Sequence, residues 1–436
     1  MQPSKAFSIR EFGYLLDGGD SAGHANAVAI PHSAFSRLLF SLHNDSADTE
    51  LAPFLKLASY KKRPALQVQN YVGVLRTPCG TQVEVLPKLY NQAKKEPDPE
   101  DARAQLLRML RALRNSPFKE GGQAEIRKAK LPLLETYIAQ FLGTVNRLVK
   151  RGICSDYVEI RENARFLKGR LLVSQQVRRN TSHPERFQIQ YNKYLLDRPA
   201  NRLIKSCLFL VTKLTRDSRN QRLARELGFV FHEVPGSRDY KLDFQRVKTD
   251  RSMSHYRESL EWARLLLGGS GLAATDGDFS TISLLYPMER IFEDYVASCL
   301  RRHLNEYFPL ADRLQTQARK LSLVEEHRGR PIFQLRPDLL VKSGQEILCV
   351  MDTKWKLLDS SGRAKKYGIS QADMYQLYAY GHKYLKSSES KRLMLIYPKT
   401  DTFTVPLAPF RYEDGFSLQV VPFDITTGKL LLQDWI

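Results

Sequence analysis

A chain of 436 residues, 42% of them hydrophobic and 26% charged, is long enough for two or three domains and is neither disordered nor fibrous in composition. No stretch approaches the ~18 uninterrupted apolar residues of a membrane span, and the opening MQPSKAFSIREFGYLLDGGD lacks a secretory signal's basic start and apolar core. A soluble, cytoplasmic protein without a membrane partner is therefore expected, and 67 Lys and Arg against 47 Asp and Glu leave a net charge of +20 that suits a polyanionic partner.

Residues 1–93 read as a β-rich module. ALQVQNYVGVLRTPCGTQVEVLPKL (65–89) alternates at Val72/Val74 and Val83/Val85 on either side of TPCG, the composition of a hairpin turn. KKEPDPEDARAQLLRMLRAL (94–113) announces a helix: Asp98 can cap it, Pro99 suits its first position, and Leu106, Leu110 and Leu113 line one face. Helical spacing returns in LLETYIAQFLGTVNRLVKRG (133–152), stopping at Gly152, and in YNKYLLDRPANRLIKSCLFLVTKLTRD (191–217), which Pro199 should kink or restart. Residues 94–275 are thus expected to be a mainly helical, basic middle region. Within it, RFLKGRLLVSQQVRRN (165–180) places Arg165, Lys168, Arg170, Arg178 and Arg179 together with few acids, a candidate DNA-phosphate surface or, more plainly, a solvated helix face. The five cysteines, Cys79, Cys154, Cys207, Cys299 and Cys349, are far apart and mostly in apolar stretches, which suits reduced core thiols.

LLLGGSGLAATDGDFST (265–281) is the clearest composition break, and a third domain is expected over 276–436. It should begin with a helix from Pro287 in YPMERIFEDYVASCLRRHL (286–304), with Ile291, Tyr295, Val296 and Cys299 at helical spacing. Two β-compatible runs follow, IFQLRPDLLV (332–341) and EILCVMDTKWKLL (346–358), joined by the short turn KSGQ. The helix SQADMYQLYAYGHKYL (370–385) and the strand RLMLIYP (392–398) complete the order.

Side chains two apart on a strand share a face, so Asp352 and Lys354 project together, with Asp338 on the neighbouring strand. Two carboxylates and the Thr353 carbonyl are oxygen ligands of the kind a hard Mg²⁺ or Mn²⁺ takes while keeping several waters. A lysine beside them can orient a water, help it lose a proton, and offset the negative charge on a pentacoordinate phosphate. Glu293 in IFEDYV would add a third carboxylate, with Glu289 one turn earlier as the competing acid, while Trp355 points to the opposite face as a core residue. Asp-x-Lys alone is common by chance. Other chemistries lack their patterns: there is no phosphate loop, no His-Glu-x-x-His and no zinc spacing of Cys and His.

At these residues the sequence resembles the PD-(D/E)xK nuclease superfamily, and more closely the McrC family, nuclease subunits of McrBC-type modification-dependent restriction systems. The similarity runs through NYVGVLRTPCGTQVEVLPKL (70–89) with its terminal Pro-Lys pair, FLKGRLLVSQQVRRN, PANRLIK, MERIFEDYV, RPDLLV, MDTKWK and DMYQLYAYG, in family order. It implies an α+β multidomain fold with a β-rich N-terminal module, a helical middle and a C-terminal PD-(D/E)xK, restriction-endonuclease-like α/β core. Asp338, Asp352 and Lys354 would be the catalytic triad, Glu293 the acid of the first core helix, and Gln376 with Tyr380 the Gln-x-x-x-Tyr pair on the following helix. It also implies a Mg²⁺-dependent DNA endonuclease subunit that cuts modified duplex DNA and stimulates a hexameric McrB-like AAA+ GTPase docked on the N-terminal module and central helices. The chain is longer than compact members of that family around residues 41–65 and 94–130. Two alternatives stay open: a stand-alone repair or recombination nuclease, and a non-catalytic DNA-binding subunit that activates a motor.

Overall fold

Strands from opposite ends of the sequence pair with one another, and this sets the division of the chain. The computed structural model describes residues 6–18, 26–43, 54–88, 99–113, 117–119, 131–247, 251–268 and 282–432. They form two compact units, one from residues 1–130 together with 275–436, the other from 131–274. The three consecutive blocks expected from composition are thus regrouped: the first and third share a unit, and the first helix of the presumed middle region falls in it as well. Asp98, most of 94–130 and part of 41–65 lie outside the described residues.

The first unit opens with β1 (Ala6–Arg10), β2 (Tyr14–Asp17), β3 (Ala27–Ile30), α1 (His32–His43), β4 (Leu55–Tyr60), β5 (Arg63–Val68), β6 (Tyr71–Arg76), β7 (Gln82–Leu86) and α2 (Pro99–Leu110). One sheet runs β3-β2-β5-β4. β6 and β7 form the expected hairpin, with Gly73 opposite Val85 and Arg76 opposite Gln82, and β1 lies parallel to β7. Leu15, Ile30, Phe35, Leu38, Leu66, Leu75, Val83 and Val85 share one core, while Val72 and Val74 are buried on the opposite face, so both faces of the hairpin are covered where the alternation predicts one. α2 starts at Pro99 and buries Leu106 and Leu110, as its spacing predicts.

The second unit contains α3 (Leu133–Arg151), β8 (Asp156–Ala164), β9 (Arg170–Leu171), α4 (Val173–Arg179), β10 (Phe187–Leu195), α5 (Pro199–Leu214), α6 (Ser218–Val230), α7 (Tyr240–Arg246) and α8 (Arg257–Gly268). α3 ends at Gly152, whose φ of 100° is open to glycine and strained for other residues. The helical expectation for 191–217 needs correction. Residues 191–195 belong to β10, which runs antiparallel to β8 in a three-stranded sheet, and only from Pro199 does the helix begin. The alternation of Phe187, Ile189 and Tyr191 has period two, and Pro199 stands at a first helical position where its missing N–H costs nothing. The middle region is therefore mainly helical but also carries a small sheet.

The chain then returns to the first unit as β11 (Ile282–Pro287), which pairs antiparallel with β6 and completes the order β1-β7-β6-β11. Gly73 makes that pairing possible. Its φ is 135°, and a Cβ there would fall 2.0 Å from the Leu284 carbonyl oxygen. A Gly73→Ala protein should lose about 1–3 kcal/mol of stability, read as a lower denaturant midpoint by circular dichroism; an unchanged midpoint would show that the strands can part at no cost.

α9 (Met288–Arg302), α10 (Leu304–Tyr307), β12 (Arg313–Thr316), β13 (Ser322–His327), β14 (Arg330–Gln334), β15 (Leu339–Ser343), β16 (Glu346–Thr353), α11 (Gln371–Tyr384), β17 (Arg392–Pro398), β18 (Phe410–Arg411), β19 (Ser417–Asp424) and β20 (Lys429–Leu430) follow. The main sheet has the order β12-β15-β16-β17-β19-β18, with β20 beside β19 and with β16, β17 and β19 parallel. α11 covers one face over Val350, Leu395 and Val420. α9 meets the other through Phe292, whose ring centroid lies 5.2 Å from Trp355 and 6.0 Å from Phe423. The hairpin β15–β16 turns at Gly344 as expected. IFQLRPDLLV is not one strand, however: residues 330–334 pair with β13 in a separate two-stranded sheet, and β15 begins only at Leu339. Pro337 offers no N–H to a ladder and restricts the residue before it, so the chain breaks there and Asp338 immediately precedes the strand.

Candidate active site

The parallel ladder carries the chain one residue beyond β16, because the Lys354 N–H donates to the Ile396 carbonyl at 2.9 Å. Asp352 and Lys354 consequently project to the α11 face, as the period of two predicts. Asp338 reaches the same strand end: its Oδ2 accepts from the Thr353 N–H at 2.7 Å and from the Thr353 hydroxyl at 2.8 Å. Lys354 Nζ stands 2.6 Å from Asp352 Oδ2 and donates to Gln376 Oε1 at 2.8 Å. Gln376 Nε2 in turn donates to the Tyr380 hydroxyl at 2.8 Å, the two residues being one helical turn apart on α11. The structure thus brings Asp338, Asp352, Thr353, Lys354, Gln376 and Tyr380 together in one connected set.

Burial sets the electrostatics. Asp352 is 1% exposed, and desolvation, joined by the charge of Asp338, pushes its carboxyl up to about 7 despite Lys354. Burial also raises Asp338, against the two hydrogen bonds from Thr353. For Lys354 burial works the other way, but Asp352, Asp373 and Asp338 outweigh it and hold the ammonium above its ordinary range. The lysine is a fixed positive charge at neutral pH, and Asp352 sits near the point of giving up a proton.

Sequence reasoning missed Asp373. It is buried in the first turn of α11, accepts from Lys356 Nζ at 2.7 Å and from the Tyr397 hydroxyl at 3.3 Å, and lies 3.9 Å from Lys354 Nζ. Burial opposes its ionisation, yet Lys356 and Lys354 hold its carboxyl below the usual range. The signal was present in SQAD: Ser370 caps α11 by accepting the Asp373 N–H at 3.2 Å, and Asp is the acid at the third position.

Glu293 is 9% exposed on α9, but it does not join the two aspartates. Both of its oxygens accept from Gln317 Nε2, at 2.9 and 3.0 Å, and the Gln317 N–H donates to the Asp338 carbonyl at 2.8 Å. Gln317 holds this bridge from a left-handed backbone with φ of 48°. Its amide meets both carboxylate oxygens, and so links Glu293 to the backbone of Asp338. The exposed Glu289, one turn earlier, is the acid whose charge raises Asp338.

Among the described residues no group of three or more His, Cys, Asp or Glu side chains converges as a metal site. A dedicated protein cage is therefore not what this set suits. It does suit a hard divalent cation held by two carboxylates and keeping its waters. Asp352 Oδ2 is buried with the Lys354 ammonium 2.6 Å away as its partner, so a cation bound there would share the oxygen with that ion pair. Because a proton competes for Asp352 below about pH 7, the apparent affinity for Mn²⁺ should fall about tenfold per pH unit below that point and level off above it. Calorimetric titration checks this, and an affinity flat through that range would remove Asp352 from the ligands.

Trp355 is buried at 4% exposure, on the face opposite Lys354. Tyr380 is buried whereas Tyr375 is exposed, in keeping with aromatics spread around α11. Cys207, Cys299 and Cys349 are buried and all five cysteines are free. In the second unit Arg165, Lys168, Arg170, Arg178 and Arg179 are all exposed, with Lys168 Nζ 4.2 Å over the Tyr191 ring. Among the described residues no helix is long and apolar enough to cross a membrane.

Comparison with known proteins adds three findings. A family model described as McrBC 5-methylcytosine restriction system component matches residues 66–398. No curated protein matches the sequence. Among solved structures, a chain of the refined half-complex from the tetradecameric assembly of Thermococcus gammatolerans McrB AAA+ hexamers with bound McrC is similar, with a TM-score of 0.71 and 18% identity over 98% of this chain and 97% of that one. A chain of the cryo-EM structure of the Thermococcus gammatolerans McrBC complex is similar with a TM-score of 0.51 and 19% identity, over 69% of this chain and 88% of that one. At such identities the likeness is one of fold.

Proposed function

Starting from a chain that belongs to the McrBC 5-methylcytosine restriction system component family, we propose that it is the metal-dependent DNA endonuclease subunit of such a system. The observation that carries this reading is the convergence of Asp338, Asp352 and Lys354 at one strand end, with Gln376 and Tyr380 behind the lysine. On this reading the sheet flanked by α9 and α11 is a PD-(D/E)xK core.

Asp338, Asp352 and the Thr353 carbonyl would hold a Mg²⁺ or Mn²⁺, which supplies Lewis acidity to the scissile phosphate and the attacking water. Lys354, kept protonated by its acidic neighbours, places a positive charge where the phosphate gains negative charge, and can direct a water by hydrogen bonding. Gln376 accepts from the ammonium and donates its amide N–H to the Tyr380 hydroxyl, so the lysine is preorganised before substrate arrives. Asp373 and Lys356 flank this row and hold α11 against the strand end. Glu293 acts through Gln317 on the backbone of Asp338.

The similar structures are described as McrB AAA+ hexamers with bound McrC, and this chain would dock on an AAA+ GTPase of that kind and stimulate its GTP hydrolysis. The sequence carries no phosphate loop of its own, which fits that division of labour. Arg165, Lys168, Arg170, Arg178 and Arg179 would meet duplex DNA or the motor.

The test is cleavage of a 5-methylcytosine-bearing plasmid by the chain assembled with its AAA+ partner. Cutting should need GTP and a divalent cation, and should stop when EDTA is added. Cleavage by the isolated chain with Mg²⁺ alone would favour a stand-alone nuclease. GTP hydrolysis without cutting would favour a non-catalytic subunit.

A further inference from the structure

A two-stranded ribbon grows from the sheet end that carries Asp338 and Asp352. β12 and β16 both end where β15 begins, since Leu339 pairs with Thr316 on one side and with Met351 on the other. Between β12 and β15 the chain leaves the main sheet, and β13 and β14 pair with each other. The root of this ribbon touches the candidate centre directly: the Gln317 N–H donates to the Asp338 carbonyl at 2.8 Å, and the returning arm runs through Arg336 and Pro337 into Asp338. α11 braces it. The Tyr384 hydroxyl, one turn beyond Tyr380, reaches the Ala318 and Leu335 carbonyls at 3.4 and 3.3 Å, and Lys383 Nζ donates to Glu325 Oε1 at 2.8 Å.

Beyond that root the ribbon has the chemistry of a polyanion-binding arm. Residues 319–336 carry Arg319, Lys320, Arg328, Arg330 and Arg336 against Glu325 and Glu326, all of them exposed. Glu325 is already engaged by Lys383, and among the described residues none of the five cations sits in an ion pair. Arg328 and Gly329, with φ of 53° and 77°, make a two-residue turn between His327 and Arg330, which fixes both arginines at the tip. The six residues of β13, at about 3.3 Å each, put that tip roughly 20 Å from the root. Apolar side chains accompany the charge: Phe333 is 69% exposed and Leu323 47%. Phe333 also holds a left-handed backbone with φ of 58°, which a bulky residue keeps only at a cost, so folding alone does not explain a phenylalanine there. Phosphates line the walls of a duplex groove and apolar base edges its floor, and a groove ~12 Å wide admits a two-stranded ribbon.

We propose that the β13–β14 ribbon lies in a groove of the duplex substrate, with Arg328 and Arg330 on backbone phosphates and Phe333 against the groove floor. The inference rests on the proposed function and deepens it. The arm that grips the duplex is rooted on Asp338, so gripping also sets the duplex against the metal-binding carboxylates.

Fluorescence anisotropy of a labelled duplex with the full-length chain, without divalent cation and across a salt series, reads the arm apart from cleavage. Arg328→Ser with Arg330→Ser should lower the slope of log affinity against log salt by about two. Phe333→Gly, which suits the left-handed backbone and should fold, should weaken binding about tenfold with the slope unchanged, because the contact it removes is apolar. Lys61→Ser with Lys62→Ser, an equal loss of charge in the turn between β4 and β5, should leave the slope as it is. An unchanged slope in the tip variant, an equal drop in the β4–β5 variant, or a wild-type chain that binds no duplex at low salt overturns the proposal. A tip variant that keeps its duplex affinity and loses the AAA+ partner would make the ribbon a protein-docking arm, and overturns it too. Cleavage is not read in this experiment, so the nuclease reading is decided separately, by the Asp352 variant.

Discussion

An Asp352→Asn chain, assembled with its AAA+ partner, should cleave DNA at least about a thousandfold more slowly while binding duplex within about twofold of the wild type. The substitution is nearly isosteric with the protonated carboxyl, which burial already favours up to about pH 7, so the fold should survive it. What it removes is the buried carboxylate charge that pairs with Lys354 and that a divalent cation needs. Gel-based cleavage rates measured beside anisotropy separate the two effects. Cleavage at the wild-type rate, with binding unchanged, would place the chemistry elsewhere in the chain.

Lys354→Met should also be severe, at about 10²–10⁴ in rate, because it removes a preorganised charge from the place where the phosphate becomes more negative. The loss should appear in kcat with KM little altered, since the lysine is held by Asp352 and Gln376 and is not on the open surface. Stability should suffer too. Breaking a buried pair costs about 3–5 kcal/mol when the remaining charge stays ionised, and part of that returns if Asp352 takes up a proton. Lys354→Arg is not expected to rescue the rate, because a planar guanidinium cannot occupy the short space between Asp352 and Gln376 as an ammonium does. A Lys354→Met enzyme impaired only in KM would make the lysine a binding residue and not part of the chemistry.

The centre itself was legible because its logic is local. A period of two puts Asp352 and Lys354 on one face, KSGQ closes the hairpin that carries Asp338, and i, i+4 spacing joins Gln376 to Tyr380. Asp338 was nonetheless assigned to a strand it only precedes, since an apolar run conceals a break whose sole mark is Pro337. Long-range pairing leaves no trace in a window of neighbouring residues. Nothing in the local context SIREFG (8–13) shows that Glu11 will receive Trp355, 344 positions away. Gln317 bridging Glu293 to Asp338 depends on a backbone conformation that glutamine rarely adopts. The strand in 187–195 was lost because its alternating residues run directly into a strong helix start at Pro199. The family resemblance is borne out at the level of the McrBC family.

The pairing of β6 with β11 has a consequence for synthesis on the ribosome. β6 emerges with one edge open, and its partner is made only after roughly two hundred further residues, about 10–40 s at usual elongation rates. During that interval the second unit can fold by itself, while the nascent first unit must shield a bare ladder from neighbouring chains. Prematurely terminated products would keep that edge, and should be sticky, chaperone-dependent and devoid of cutting power.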